Sequence, residues 1–160
     1  MGLIEQRLGE LGLRLPGAPL SPPGFRFPFS WIRVHRNRVF ASGHGPITPD
    51  GKPAGPFGKV PSEVSFEDAQ HAARGAALTM LGNLQRVLGD LDRVTAWLMV
   101  QGMVNADVGY AETGNVVNAF SDLILDLYGH EVGHHARVEV GMAALPLNLP
   151  VVVAAELEIA

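Results

Sequence analysis

Residues 151–159 constrain the fold more than any other stretch of the chain. Val151, Val153, Ala155, Leu157 and Ile159 alternate with Val152, Ala154, Glu156 and Glu158. A period of two puts the first set on one face of a β-strand and the second on the other. A strand of this kind belongs in a sheet with a layer over its apolar face. Residues 137–142 supply a second such strand, with Arg137, Glu139 and Gly141 opposed to Val138, Val140 and Met142, and residues 145–150 make the turn between the two.

The remaining elements follow from the same kind of patterning. Residues 31–35 and 38–42 are β-rich runs, with Asn37 suited to the turn between them. Ser65-Phe-Glu-Asp68 is a capping-box signature. The helix it opens carries Ala69, Ala73, Ala76, Met80, Leu84 and Val87 on one stripe and stops at Gly89. Residues 95–104 read as a buried strand. A second helix over residues 112–128 has the stripe Val116, Phe120, Leu123 and Leu127, with Gly129 at its end. Residues 3–12, with Ile4, Leu8 and Leu11, form a short amphipathic helix. The order ββ, helix, β, helix, ββ predicts an α+β fold: one mixed sheet with two helices on one face. Ten of the twelve prolines lie between Pro16 and Pro61. Residues 1–19 are accordingly read as an N-terminal helix and Pro-rich lead-in, residues 20–160 as a single domain, and residues 43–61 as an irregular loop.

At 160 residues the chain suits one domain. Hydrophobic residues make up 47% and charged ones 18%, below a typical charged share of about 25%. That balance points to apolar surface hidden at a subunit interface. A net charge of −4 disfavours nucleic acid and anionic membranes as partners. Arg26, Arg33, Arg36 and Arg38 read as a solvated hairpin face. With no cysteine there is no disulfide, thiolate nucleophile or Cys-ligated zinc. Residues 142–155 are apolar but short, and Pro146, Asn148 and Pro150 interrupt them. The expected location is cytoplasmic.

Three places carry candidate chemistry. His130-Glu-Val-Gly-His134 matches H-E-x-x-H, which on a helix would bind zinc with Glu131 as general base. Gly129 and Gly133 bracket it, and Arg137 and Val140 stand where the extended form has Gly and His. A zinc peptidase therefore ranks third among the functional readings, and no metal site is assigned. Arg137 opens an otherwise apolar strand. It either grips a small carboxylate through paired hydrogen bonds or pairs internally with Glu139. Ser42-Gly-His-Gly-Pro46 supplies a hydroxyl and flexible amides after a strand, as a pocket wall or as a plain turn.

Phe40-Ala-Ser-Gly-His-Gly-Pro46, the capped alanine-rich helix, Gly89-Asp-Leu-Asp-Arg-Val94 and the tail Gly133-His-His-Ala-Arg-Val-Glu-Val-Gly141, then Ala143-Ala-Leu-Pro-Leu147, occur in that order. Together they resemble the RidA/YjgF family of reactive-intermediate deaminases, over about residues 20–160. The tail is most similar to a branch with G-x-H-A-R-x-x-V-G. The resemblance implies a chorismate-mutase-like fold and a homotrimer with clefts between subunits. It further implies hydrolysis of 2-imino acids or enamines to 2-oxo acids and ammonia, without a cofactor. By the same resemblance Arg137 holds the substrate carboxylate, and Ser42 and Gly43 form the strand end of the cleft. Phe29 falls where active members commonly have Tyr, and Val152 where they have a water-positioning Glu. Glu139 either replaces that carboxylate or masks Arg137; His44 and Asn105 complete the expected cleft. The alternative is a non-catalytic metabolite-binding or regulatory trimer. Some relatives carry an endoribonuclease label, which the acidic charge does not favour.

Overall fold

A computed structural model describes residues 1–160. Helix α1 spans Leu3–Glu10, β1 Ile32–His35, β2 Arg38–His44, α2 Phe66–Leu88, β3 Val94–Asn105, α3 Thr113–Gly133, β4 Ala136–Met142 and β5 Val151–Ile159. The five strands form one sheet in the order β1-β2-β5-β3-β4. Only β3 and β4 run parallel; the other neighbours are antiparallel. α3 is the crossover between those two parallel strands, as such a pairing requires.

Local chemistry accounts for the element ends. Ser65 Oγ accepts the Asp68 N–H at 3.0 Å and opens α2, and Gly89, at φ 79°, closes it. Ala69, Ala73, Ala76 and Ala77 are fully buried, so α2 lies close against the sheet. Trp97, from β3, meets Phe120 and Tyr128 of α3 edge-on at 6.1 and 5.7 Å. α1 adds Ile4 and Leu8 to the same core.

Asn37 lies in the turn between β1 and β2 as expected, and Gly129 departs from expectation. The left-handed residue in the β1–β2 turn is Arg36, at φ 56°, while the Asn37 carbonyl accepts the Ile159 N–H. Gly129 interrupts α3 rather than ending it: its backbone turns to φ 74°, ψ 174°, and one more turn follows to Gly133.

Both helices cover one face of the sheet. The other face has nothing over it. Phe40, Val138, Val140 and Met142 are exposed there, and the strand register aligns Met99, Met103, Val152 and Ala154 with them. Together they make a broad apolar patch on the uncovered side of the sheet. No helix is long and apolar enough to cross a membrane.

Candidate functional site

The expected site residues fall into two groups. The first is built between β4 and α3. Arg137 pairs in register with the buried Val100, so its side chain turns toward the helices. Its Nε–H donates to Glu139 Oε2 at 3.0 Å, one terminal nitrogen to Ser121 Oγ at 3.1 Å, and the other to Asn118 Oδ1 at 2.9 Å and the Gly114 carbonyl at 3.3 Å. The Arg137 side chain is only 19% exposed, so this guanidinium is largely committed within the chain. Gly114, Asn118 and Ser121 stand at i, i+4 and i+7, one polar stripe of α3 facing the strand. Glu139 lies against the first turn of α3, where a Cβ on Gly114 would come within 2.7 Å of its Oε1. The helix dipole favours a carboxylate there.

His135 extends this group. Its Nδ1 faces the Gly133 carbonyl at 2.7 Å and its Nε2 faces Ser121 Oγ at 2.8 Å. A carbonyl can only accept, so Nδ1 carries the proton and Nε2 accepts from the Ser121 hydroxyl. Burial pushes the His135 pKa down, and the Arg137 charge adds to the effect. Asn118, Ser121 and His135 were not singled out from the sequence. The polar stripe of α3 was the available signal.

The second group lies at the far end of β2. Pairing between β2 and β5 slips between Ala41 and His44, and the resulting bulge carries Ser42 and Gly43. The Ser42 hydroxyl donates to the Ser30 carbonyl at 2.7 Å. Gly43, His44, Phe29 and Val152 line one open-mouthed cavity of about 180 Å³. Phe27, Phe29 and Trp31 form an edge-on cluster on its wall, with ring centres 5.0 to 5.8 Å apart. His44 is fully buried. Its Nδ1–H donates to the Ser42 carbonyl, and Nε2 accepts from Asn83 Nδ2 at 3.0 Å. Burial lowers its pKa to about 4, so the ring is neutral near pH 7. Asn83 Oδ1 accepts from Arg86 at 2.7 Å. Arg86 donates onward to the carbonyls of Pro16 and Gly17. The lead-in is thereby fastened to α2, and its Pro19 and Leu20 join the cavity wall.

The two groups do not meet within one chain. β2 and β4 are three strand steps apart, about 14 Å at ~4.8 Å per step. Arg137 also faces the helices, whereas Val152, paired with Met103, faces the open side. Asn105 belongs to neither group. It is buried, with its amide accepting from Lys59 Nζ at 3.1 Å and donating to Asn148 at 3.3 Å. It ties two loops to the end of β3.

The zinc-peptidase reading finds no support in the structure. The rings of His130 and His134 stack at 4.2 Å with their planes 24° apart, so their in-plane lone pairs run side by side instead of converging. The motif has only the single turn that follows Gly129, and its second histidine, His134, is already extended at φ −73°, ψ 119°. The three-residue grouping of ligand-type side chains is elsewhere: Glu5, Asp90 and Asp92. There Asp92 accepts the Leu3 and Ile4 N–H groups and caps α1.

No family model matches the chain. Protein TCP17 of Trypanosoma cruzi is 34% identical over 159 residues, covering 99% of this chain and 95% of that one. A Shewanella oneidensis structure described as a "putative endoribonuclease" is 25% identical, with a TM-score of 0.86 over 99% of this chain and 100% of that one. At 18% identity the fold recurs in RidA from the Antarctic bacterium Psychrobacter, with a TM-score of 0.59 over 89% of this chain and 94% of that one. The chain belongs to the same family as protein TCP17, and its fold is that of the RidA/YjgF proteins. The same fold occurs in E. coli TdcF with bound serine, at 18% identity and a TM-score of 0.60 over 92% of this chain and 99% of that one. The family fold offers no support for a metallopeptidase.

Proposed function

We propose that this protein of RidA/YjgF fold is a homotrimer that binds a small carboxylate-bearing metabolite, a 2-oxo or 2-imino acid, in clefts between copies. Hydrolysis of imines is at most a weak activity. The observation that carries this reading is the separation of the two groups. Arg137 on the edge strand β4 and the Ser42–Gly43 bulge on the inner strand β2 lie three strand steps apart in one sheet, with Arg137 turned to the helices and Val152, beside the bulge, to the open face. A cleft that uses both has to join two copies. The uncovered apolar face supports the same assembly, since closed cyclic oligomers hide such surface. Serine bound to a protein of this fold is in keeping with a ligand that carries a carboxylate beside a nitrogen-bearing carbon.

Imine hydrolysis requires water to add to the C=N carbon; the C–N bond then breaks, ammonia leaves and a 2-oxo acid remains. In this chain Arg137 would orient the carboxylate, and the Ser42–Gly43 bulge would hold the reacting end. Much of any acceleration would come from positioning. Val152 and Phe29 bring no polar atom to the place where active members of the family handle water. Glu139 is bonded to Arg137, which favours a masking role over a replacement for the missing carboxylate. These two points favour a binding protein over an efficient enzyme.

Ammonia release from 2-iminobutanoate generated in situ, beside an active family member, tests the reading. We expect turnover far below that of the relative, together with saturable binding of 2-oxobutanoate. Equal turnover would overturn the weak-activity reading, and absence of binding would remove the ligand class.

A further inference from the structure

The cavity at the β2 bulge is lined in a way that specifies one end of its ligand. Most of its surface comes from apolar side chains, among them Phe27, Phe29, Trp31, Leu147, Leu149 and Val152. Only three lining side chains carry a polar atom: His44, Thr79 and Trp31. His44 uses both ring nitrogens internally, on the Ser42 carbonyl and Asn83. The Thr79 hydroxyl donates to the Gly75 carbonyl at 3.0 Å. The Trp31 indole N–H is the one side-chain donor on the wall not already engaged. A polar or charged ligand group entering here would give up its water and find almost nothing in return.

We propose that this cavity receives an uncharged aryl group or a similarly bulky apolar side chain. The ligand of the cleft would then be a 2-oxo or 2-imino acid carrying such a side chain, not a small or polar one. The volume agrees: an apolar cavity of about 150 Å³ holds benzene, and this one is about 180 Å³. The edge-on cluster of Phe27, Phe29 and Trp31 offers the ring edges that aromatic groups favour. Phe29 and Val152 act here as specificity residues, because both keep polar atoms off the wall. The acid end of this ligand rests on the function proposed above; the apolar end rests on the cavity alone.

Calorimetry on the full chain with three probes separates the two. The probes are 2-oxo-3-phenylpropanoate, 2-oxopropanoate and benzyl alcohol. We expect the phenyl acid to bind at least tenfold more tightly than 2-oxopropanoate, a difference that burial of a ring readily supplies. Phe29→Ser and Val152→Glu should each remove most of that preference. Phe29 is half exposed, so its replacement leaves the core intact even where a charge at position 152 disturbs the sheet. Equal affinity for the two acids would overturn the apolar specificity while leaving the carboxylate cleft standing. Binding of benzyl alcohol that is lost in Phe29→Ser, with neither acid bound, would uphold the cavity and overturn the carboxylate reading. Absence of binding by all three would overturn both.

Discussion

Gly43 and Val152 are packed across β2 and β5 so closely that a Cβ on Gly43 would lie 2.7 Å from Val152 Cγ1. The bulge that brings Gly43 to the cavity wall therefore depends on a missing side chain. Gly43→Ala should destabilise the fold by about 1–3 kcal/mol through overpacking. Val152→Ala in the same chain should restore most of that loss. Urea denaturation of the two single variants and the double variant checks the coupling; additive losses would show that the two residues do not interfere.

The Arg137–Glu139 pair sets up a second expectation. Removing the carboxylate in Glu139→Ala frees the Arg137 Nε–H for a bound acid. A charge-assisted bond contributes roughly 1.5–3 kcal/mol, so affinity for 2-oxobutanoate should rise on the order of tenfold or more. Arg137→Ala should abolish that binding. If Glu139 handles water instead, Glu139→Ala will eliminate the residual ammonia release without tightening binding.

His44 gives the stability a defined pH dependence. The unfolded chain takes up a proton on this ring near pH 6.5, the folded chain only near about 4. Stability is therefore full above pH 6.5 and declines as the pH falls toward 4. The expected loss is roughly 1.4 kcal/mol per pH unit and about 3 kcal/mol in all. His135, also shifted downward, acts in the same direction. Thermal melts between pH 7.5 and 4 should show this decline, and a His44→Gln variant should show a shallower one.

The uncovered sheet face makes oligomeric state mutable. Light scattering should give three times 17.1 kDa for the unaltered chain. Val140→Asp places a charge on that face, where Val140 is 44% exposed in the single chain. This variant should run as a folded monomer with an unchanged far-ultraviolet spectrum. A trimer that survives the charge would locate the interface elsewhere.

Most elements were legible because each announces itself locally. Ser65 needs only Asp68 to cap α2, and the alternation through β5 depends on nothing outside that strand. Arg137 was legible as a desolvated charge, and its pairing with Glu139 as one of two outcomes. What escaped was whatever long-range packing decides. Ser121 and Asn118 sit on the polar side of a helix whose apolar stripe alone had been followed, and their partners lie 14 to 19 residues on. The partners of Asn105, Lys59 and Asn148, are likewise each more than forty positions away. Gly129 read as a stop because glycine ends helices, yet the following turn packs Gly133 back against Ile124 and Tyr128.

The hydrogen bonds from Arg86 to Pro16 and Gly17 bear on how this protein is handled at the bench. Pro- and Gly-rich leaders are often trimmed to tidy a domain for crystallisation. Here Gly17 N–H donates to the Pro49 carbonyl and Leu20 N–H to that of Gly51, so the leader is laced to the loop on the far side of the cavity. Removing residues 1–20 would take Pro19 and Leu20 from the cavity lining and leave the Arg86 guanidinium without its two carbonyl acceptors. A shortened chain would be a different receptor, and its ligand profile would not stand for that of the 160-residue chain.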